Sequence, residues 1–125
     1  MDTVNLDQLN EEVAINVFGL HLKEWTEDDI DKPTQCCAWF DKKGAKVYGP
    51  VLPNFHSNEE ALKIVEALVF AKSLIFLVER KEEKDMVVFK ASFLKSGCCL
   101  GEGVYHSLPI AICLAAIGAA KNLQK

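Results

Sequence analysis

The chain has 125 residues, of which 50% are hydrophobic and 26% are charged. This balance is typical of a globular protein with one sizeable core, and it excludes wholesale disorder. The formal net charge is -4, and no dense basic stripe interrupts the acidic and basic residues. The pattern argues against binding to a nucleic-acid backbone, but it leaves room for a small anion held by a few local donors.

The first residues predict an amphipathic helix. Apolar residues recur at intervals of three and four between Leu6 and Phe18, and Gly19 is suited to end such a helix. The polar residues before this helix lack the basic start and apolar run of a signal peptide, so we expect a cytoplasmic location. A polar connector is expected over residues 23–33.

A β-hairpin is predicted next. Residues 35–41 and 45–49 are rich in strand-forming residues, and the turn between them contains Gly44. Trp39 and Tyr48 lie on these two strands, where either ring is a candidate for stacking on a base, although core packing is the commoner use.

A second helix and a second hairpin follow. The sequence Ser57-Asn-Glu-Glu60 is a capping box ahead of an apolar periodic run that ends near residues 70–72. Residues 74–78 and 86–94 are strand-like, and the charged residues 79–85 between them predict a solvated turn.

The closing segment predicts a glycine-rich loop over residues 96–103 and a last helix that begins at Ser107. The resulting order is α-β-β-α-β-β-α. Two hairpins indicate an antiparallel sheet of about four strands with flanking helices, which is an α/β (α+β) fold. One domain over residues 1–125 accounts for the whole pattern, which contains no repeat at solenoid spacing.

The last helix is apolar on nearly every side. A helix of this kind must be buried on more than one side, and about 14 residues are too few to span a bilayer. We therefore predict no membrane association and a homo-oligomer. The residues expected to face the sheet are Ile110, Leu114, Ile117 and Ala120. Those expected to meet another helix or another subunit are Ile112, Ala116 and Ala119.

The cysteine count is five, and it includes the vicinal pairs Cys36-Cys37 and Cys98-Cys99. Neighbouring side chains on a strand point to opposite faces, and the spacing matches no usual zinc pattern. We therefore expect buried or half-buried free thiols, with no metal and no cofactor. A metal site and a redox role are the alternatives.

Three segments carry a family resemblance. Residues 10–19, 54–68 and 108–117, the last with the sequence LPIAICLAAI, resemble the phage ABA sandwich domain family of small phage and prophage proteins. Leu20 follows Gly19 where members of that family often have tryptophan. The resemblance implies a layered fold of helices and sheet, carries no catalytic residues, and implies a bacterial host cell. It also implies a non-catalytic accessory protein. The most specific form of this expectation is a counter-defence protein that sequesters an anionic nucleotide-derived signal in an oligomer.

The strongest candidate site is the loop from Ser96 to Ser107. Gly101 and Gly103 permit close approach of a ligand to the backbone, a helix N-terminus favours an anion, and Tyr105 and His106 flank it. The alternative is a plain flexible connection, and the spacing matches neither a Walker loop nor a dinucleotide fingerprint.

Other candidate residues complete the predicted ligand site. Phe55 and His56 precede the Ser57 cap, where packing on the first helical turn is the structural alternative. The positive charge for an anionic nucleotide is expected from Arg80, Lys90 or Lys95.

Two further functions remain open. One is a protein-protein interaction module without a small ligand. The other is a small cysteine-dependent hydrolase, in which Cys98 or Cys99 acts as the nucleophile and His106 or His56 as the base. The hydrolase has no evident orienting residue, so we predict that the protein is not an enzyme.

Overall fold

The computed structural model describes residues 4–27, 34–49 and 51–124. It contains three α-helices, two of which end in a π-helical turn, and six strands. The helices are α1 (Leu6–Glu12, continued by the first π-turn, Val13–Val17), α2 (Asn58–Glu66, continued by the second π-turn, Ala67–Ala71) and α3 (Leu108–Leu123). The strands are β1 (His21–Glu27), β2 (Thr34–Phe40), β3 (Lys46–Tyr48), β4 (Ile75–Glu83), β5 (Met86–Lys95) and β6 (Cys98–Tyr105).

The strands form two antiparallel sheets, β1-β2-β3 and β4-β5-β6. The predicted class, mixed helix and antiparallel sheet, is confirmed. Each predicted hairpin has a third strand, so the structure has six strands in two sheets instead of about four in one. The connector expected at residues 23–33 begins as β1, and residues 28–33 lie outside the described part. Its polar composition suits an edge strand, whose first three side chains, residues 21–23, are exposed.

The starts of α1 and α2 are fixed by side-chain caps. The Asn5 side chain accepts a hydrogen bond from the backbone N–H of Gln8 at 3.1 Å. The Ser57 hydroxyl accepts one from Glu60 N–H at 3.3 Å, which confirms the predicted capping box as the start of α2.

α1 and α2 end in the same way. Each helix finishes in a π-turn and then a residue with positive φ, Gly19 at 67° and Ser73 at 57°. The N–H of the next residue then bonds back into the π-turn, Leu20 to Ala14 at 2.9 Å and Leu74 to Leu68 at 3.2 Å. A three-stranded sheet follows each time, so the two halves of the chain share one helix-and-meander plan.

α3 is buried within the chain itself. One side of it covers β5 and β6, and the other side packs against the first π-turn and α2. The predicted burial on more than one side is confirmed, but it needs no second subunit. The side facing the sheet includes Ala111, Leu114, Ala115 and Ala119, which lie against Gly101 and Gly103. The prediction that Leu114 faces the sheet is confirmed, but the expected sheet face around Ile110 and Ile117 is wrong, because the helix approaches the strands most closely where its side chains are smallest. Ala119, expected to meet another helix or subunit, faces the sheet instead.

α3 covers one face of the second sheet, and on the other face Val88 is buried while several apolar side chains are exposed. Gly101 and Gly103 lie on the face beneath α3, and the opposite face exposes Ile75, Leu77 and Val104 to solvent. Within residues 4–27, 34–49 and 51–124, no helix is both long enough and apolar enough to cross a membrane.

Candidate functional site

The predicted glycine-rich ligand loop is a strand. Residues 98–105 form β6, and α3 covers the sides of Gly101 and Gly103 that were expected to face a ligand. A Cβ atom built on Gly103 would lie 2.8 Å from the backbone nitrogen of Ala115. The prediction is wrong in its geometry, because the backbone that approaches these glycines belongs to the protein's own helix and not to an anion.

Strand register brings Arg80 and Tyr105 into one row. Arg80 pairs with Phe89, and Phe89 pairs with Tyr105, so the three side chains lie on the same face of the sheet near the start of α3. The Tyr105 and His106 rings stack with centroids 4.2 Å apart. Phe89 was not among the predicted residues, because only the register of β5 places it between the other two.

The three predicted cations do not converge. Lys90 lies on the opposite face of the sheet from Arg80, and its Nζ is 3.7 Å from a carboxylate oxygen of Glu102. Lys95 pairs with Cys98 beside the hairpin turn, at the other end of the sheet from Arg80. Alternation of side chains along a strand separates Lys90 from Arg80, so these candidate cations do not belong to one site.

The predicted stacking rings belong to the core. Trp39 is 4% exposed and Phe55 is fully buried, and the Tyr48 ring meets Phe55 edge-on at 6.4 Å. Neither Trp39 nor Phe55 is open to a base. His56 is half-buried directly before the Ser57 cap, which is the structural alternative considered for it.

Of the predicted dyads of Cys98 or Cys99 with His106 or His56, those with His106 are not assembled. His106 follows the far end of β6, and an extended strand rises about 3.3 Å per residue, which places it roughly 20 Å from Cys99. Cys37, Cys98 and Cys99 are exposed, so the expected burial is wrong for these three thiols. Cys113 is buried and donates to the Phe55 carbonyl at 3.2 Å, and burial raises its pKa to about 12.

A cleft lies where three helix ends meet, and we call it the helix-end cleft. It is bounded by the first π-turn, the end of the second π-turn, the last turn of α3 and the β2–β3 turn, and its volume is about 570 Å³. The polar residues that line it are Asn16, Lys42, Lys72 and Gln124. The main apolar residues that line it are Ile15, Val17, Phe18, Leu20, Leu68 and Leu123.

Local structure places both lysines of the cleft. The Asp41 carboxylate accepts hydrogen bonds from the backbone N–H groups of Lys43 and Ala45, each at 2.9 Å, and so shapes the turn that carries Lys42. The Lys42 side chain then lies over Gly19, where a Cβ would be 3.2 Å from its Cε. Lys72 is the residue that ends the second π-turn.

The helix-end cleft is basic. Neither Lys42 nor Lys72 forms an ion pair among the described residues, and no aspartate or glutamate lines the cleft. Sequence reasoning missed both lysines because they are far apart in the chain and belong to no motif. Only the packing of the first and second π-turns beside α3 brings them to one cavity.

A solved structure shares the fold of this chain. The crystal structure of a phage protein from Bacillus cereus ATCC 14579 is 17% identical, with 95% of each chain covered and a TM-score of 0.54. A solution structure of both dsRBDs of DRB4 along with their linker is 16% identical, with a TM-score of 0.37 over 99% of this chain and 97% of that one. No family model and no curated protein matches the chain, so the resemblance to the phage ABA sandwich family stays a prediction.

Proposed function

We propose that this protein is a non-catalytic phage or prophage accessory protein that binds a small anionic ligand in the helix-end cleft. The observation that carries the proposal is the pairing of Lys42 and Lys72 with an apolar wall in a cavity of about 570 Å³. Cavities of roughly 300–1,000 Å³ with a few placed polar groups are typical ligand sites. The likeness to a phage protein supports the phage setting through the fold alone.

A binding role is favoured over catalysis by the positions of the thiols. Cys99 is far from His106, and the raised pKa of Cys113 keeps that thiol protonated and unreactive at neutral pH. Within a bacterial host cell, the sharpest version of the proposal is sequestration of a nucleotide-derived signal by a counter-defence protein.

The test begins with native mass spectrometry of the protein freshly isolated from cells. We expect a discrete extra mass on the folded chain and a rise in melting temperature when nucleotide monophosphates are added. Lys42→Ala and Lys72→Ala should each remove most of the rise, because each deletes one of the two cations in the cleft. Lys43→Ala is the matched control, since Lys43 is an exposed neighbour that does not line the cleft. An unchanged response in both cleft variants would contradict the proposed site.

The second candidate function is a protein interaction, including self-association, through the face of the second sheet opposite α3. The observation that favours it is the exposure of Ile75 (57%) and Leu77 (52%) on that face. We expect Leu77→Glu to abolish any assembly detected by light scattering after gel filtration. Leu62→Glu, on the exposed side of α2, is the control. A monomeric parent protein that captures no partner would exclude this function.

A further inference from the structure

We infer that the ligand of the helix-end cleft is an amphipathic anion, with one or two negative charges attached to an apolar or aromatic body. This inference rests on the proposed function and narrows its ligand. Bare inorganic phosphate and polyphosphates such as ATP lie outside the inferred class.

The distribution of charge around the cleft supports a low ligand charge. Lys42 and Lys72 contribute two positive charges. The same cleft is lined by the C-terminal ends of three helical segments, at Phe18, Lys72 and Leu123. Each helix end carries roughly half a negative charge, about -1.5 in total, so the lysines leave only a small positive excess. A ligand with one or two negative charges is compatible with that excess, whereas the larger negative charge of a triphosphate is repelled by the carbonyl groups at the helix ends.

The apolar wall of the cleft supports a ligand with a body. Ile15 is 50% exposed, although it belongs to a helical turn whose neighbours Val13 and Ala14 are fully buried. Leu123 is half-buried in the last turn of α3. A ligand that covers both side chains gains about 25 cal/mol for each Å² of apolar surface removed from water. Inorganic phosphate has no apolar surface to bury, so it cannot gain this free energy.

The size of the cleft agrees with such a body. At about 30 Å³ for each water molecule, a cavity of about 570 Å³ corresponds to roughly 20 waters. A medium-chain carboxylate or a nucleoside monophosphate fits within that volume. Both present one anionic group at one end and an apolar chain or a base at the other.

The test is calorimetric titration of the full chain at low ionic strength with octanoate, adenosine monophosphate, ATP and inorganic phosphate. We expect octanoate or adenosine monophosphate to bind at least about tenfold more tightly than ATP and inorganic phosphate. Tighter binding of octanoate identifies the apolar part of the ligand as an acyl chain, and tighter binding of adenosine monophosphate identifies it as a base. Lys72→Ala should weaken that binding, and so should Ile15→Ser, while Leu62→Ser on the exposed side of α2 leaves it unchanged.

The outcomes separate this inference from the proposed function. Equal or tighter binding of ATP or inorganic phosphate, lost in Lys72→Ala, would overturn the ligand class and leave anion binding in the cleft intact. Binding that is insensitive to both Lys72→Ala and Ile15→Ser would overturn the assignment to this cleft. Absence of binding by every probe, together with no extra mass on the native protein, would overturn both. Circular dichroism of each variant shows whether the fold is retained.

Discussion

Gly103 illustrates how one residue type suits two opposite roles. In sequence, a glycine ahead of a helix is typical of a loop that lets a ligand approach the backbone. In the folded chain, the missing side chain lets α3 approach instead, and the nearest side-chain atom to a built Cβ is Leu114 Cβ at 2.8 Å. The spacing of the glycines is the same in both cases, so only the position of α3 separates them.

Gly103→Ala should therefore destabilise the fold. A methyl group there overlaps the backbone of α3, and overpacking of this kind costs about 1–3 kcal/mol in the free energy of unfolding. Urea denaturation measures the change. Gly49→Ala is the matched control, because a Cβ at Gly49 has no heavy atom within 4 Å. Equal stability of the two variants would contradict close helix-strand packing at Gly103.

The buried thiol of Cys113 should make the free energy of unfolding depend on pH. Its folded-state pKa of about 12 lies above the ordinary value of 9.0, because the buried site disfavours the thiolate. The folded chain therefore holds the thiol proton more tightly than the unfolded chain does. The resulting stabilisation is complete below about pH 9 and is lost as the pH rises toward 12. Cys113→Ser should remove this pH-dependent stabilisation. The measurement is the free energy of unfolding of the parent protein and of the variant across that pH range, where the difference between them should change. A constant difference would contradict the prediction.

At the scale of elements, the start of α2 was predictable, and so were the ends of the first two helical segments, near Gly19 and residues 70–72. Ser57 and the acids after it define a local motif that fixes the start of α2 whatever surrounds it. The π-turns that end α1 and α2 were not predicted, since one extra residue per turn barely alters apolar spacing. Strand β6 was not predicted, because its glycine-containing sequence has little strand preference of its own. Its strand conformation depends on pairing with β5.

The two serines that precede α2 and α3 give a matched test. Ser57→Ala should lower the free energy of unfolding by about 1 kcal/mol, because the hydroxyl caps Glu60 N–H. Ser107 makes no side-chain cap, so Ser107→Ala should change it by less than about 0.5 kcal/mol. Thermal and urea denaturation measure both changes. A larger loss at Ser107 than at Ser57 would contradict the capping assignment.

At the scale of the whole molecule, α3 connects the other parts of the described structure. It packs on β5 and β6, on the first π-turn and on α2, and eight of its residues are buried. The same helix suggested an oligomer from its sequence, since apolar residues all round a helix need cover on every side. The cover comes from the chain itself. Among the exposed apolar side chains of the described residues, Ile75, Leu77 and Val104 share the far face of the second sheet.

Hydrogen exchange should reflect this position of α3. We expect the amides in the middle of α3 to exchange only through global unfolding, because their exposure requires separation of the sheet from two helices. The amides of β3, a strand of three residues at the edge of its sheet, should exchange sooner. Exchange of α3 before β3 would contradict a central role for α3.

The sequence by itself determined the class of fold, the starts of α2 and α3, and the burial of α3. These follow from local motifs and from apolar periodicity, which act over a few residues wherever they occur. Only the tertiary structure decided the third strand of each sheet, the role of Gly101 and Gly103, and the separation of Lys90 from Arg80. It also brought Lys42 and Lys72 to one cleft. Register and helix packing join residues distant in the chain, and no local pattern of apolar and polar residues encodes which of them meet.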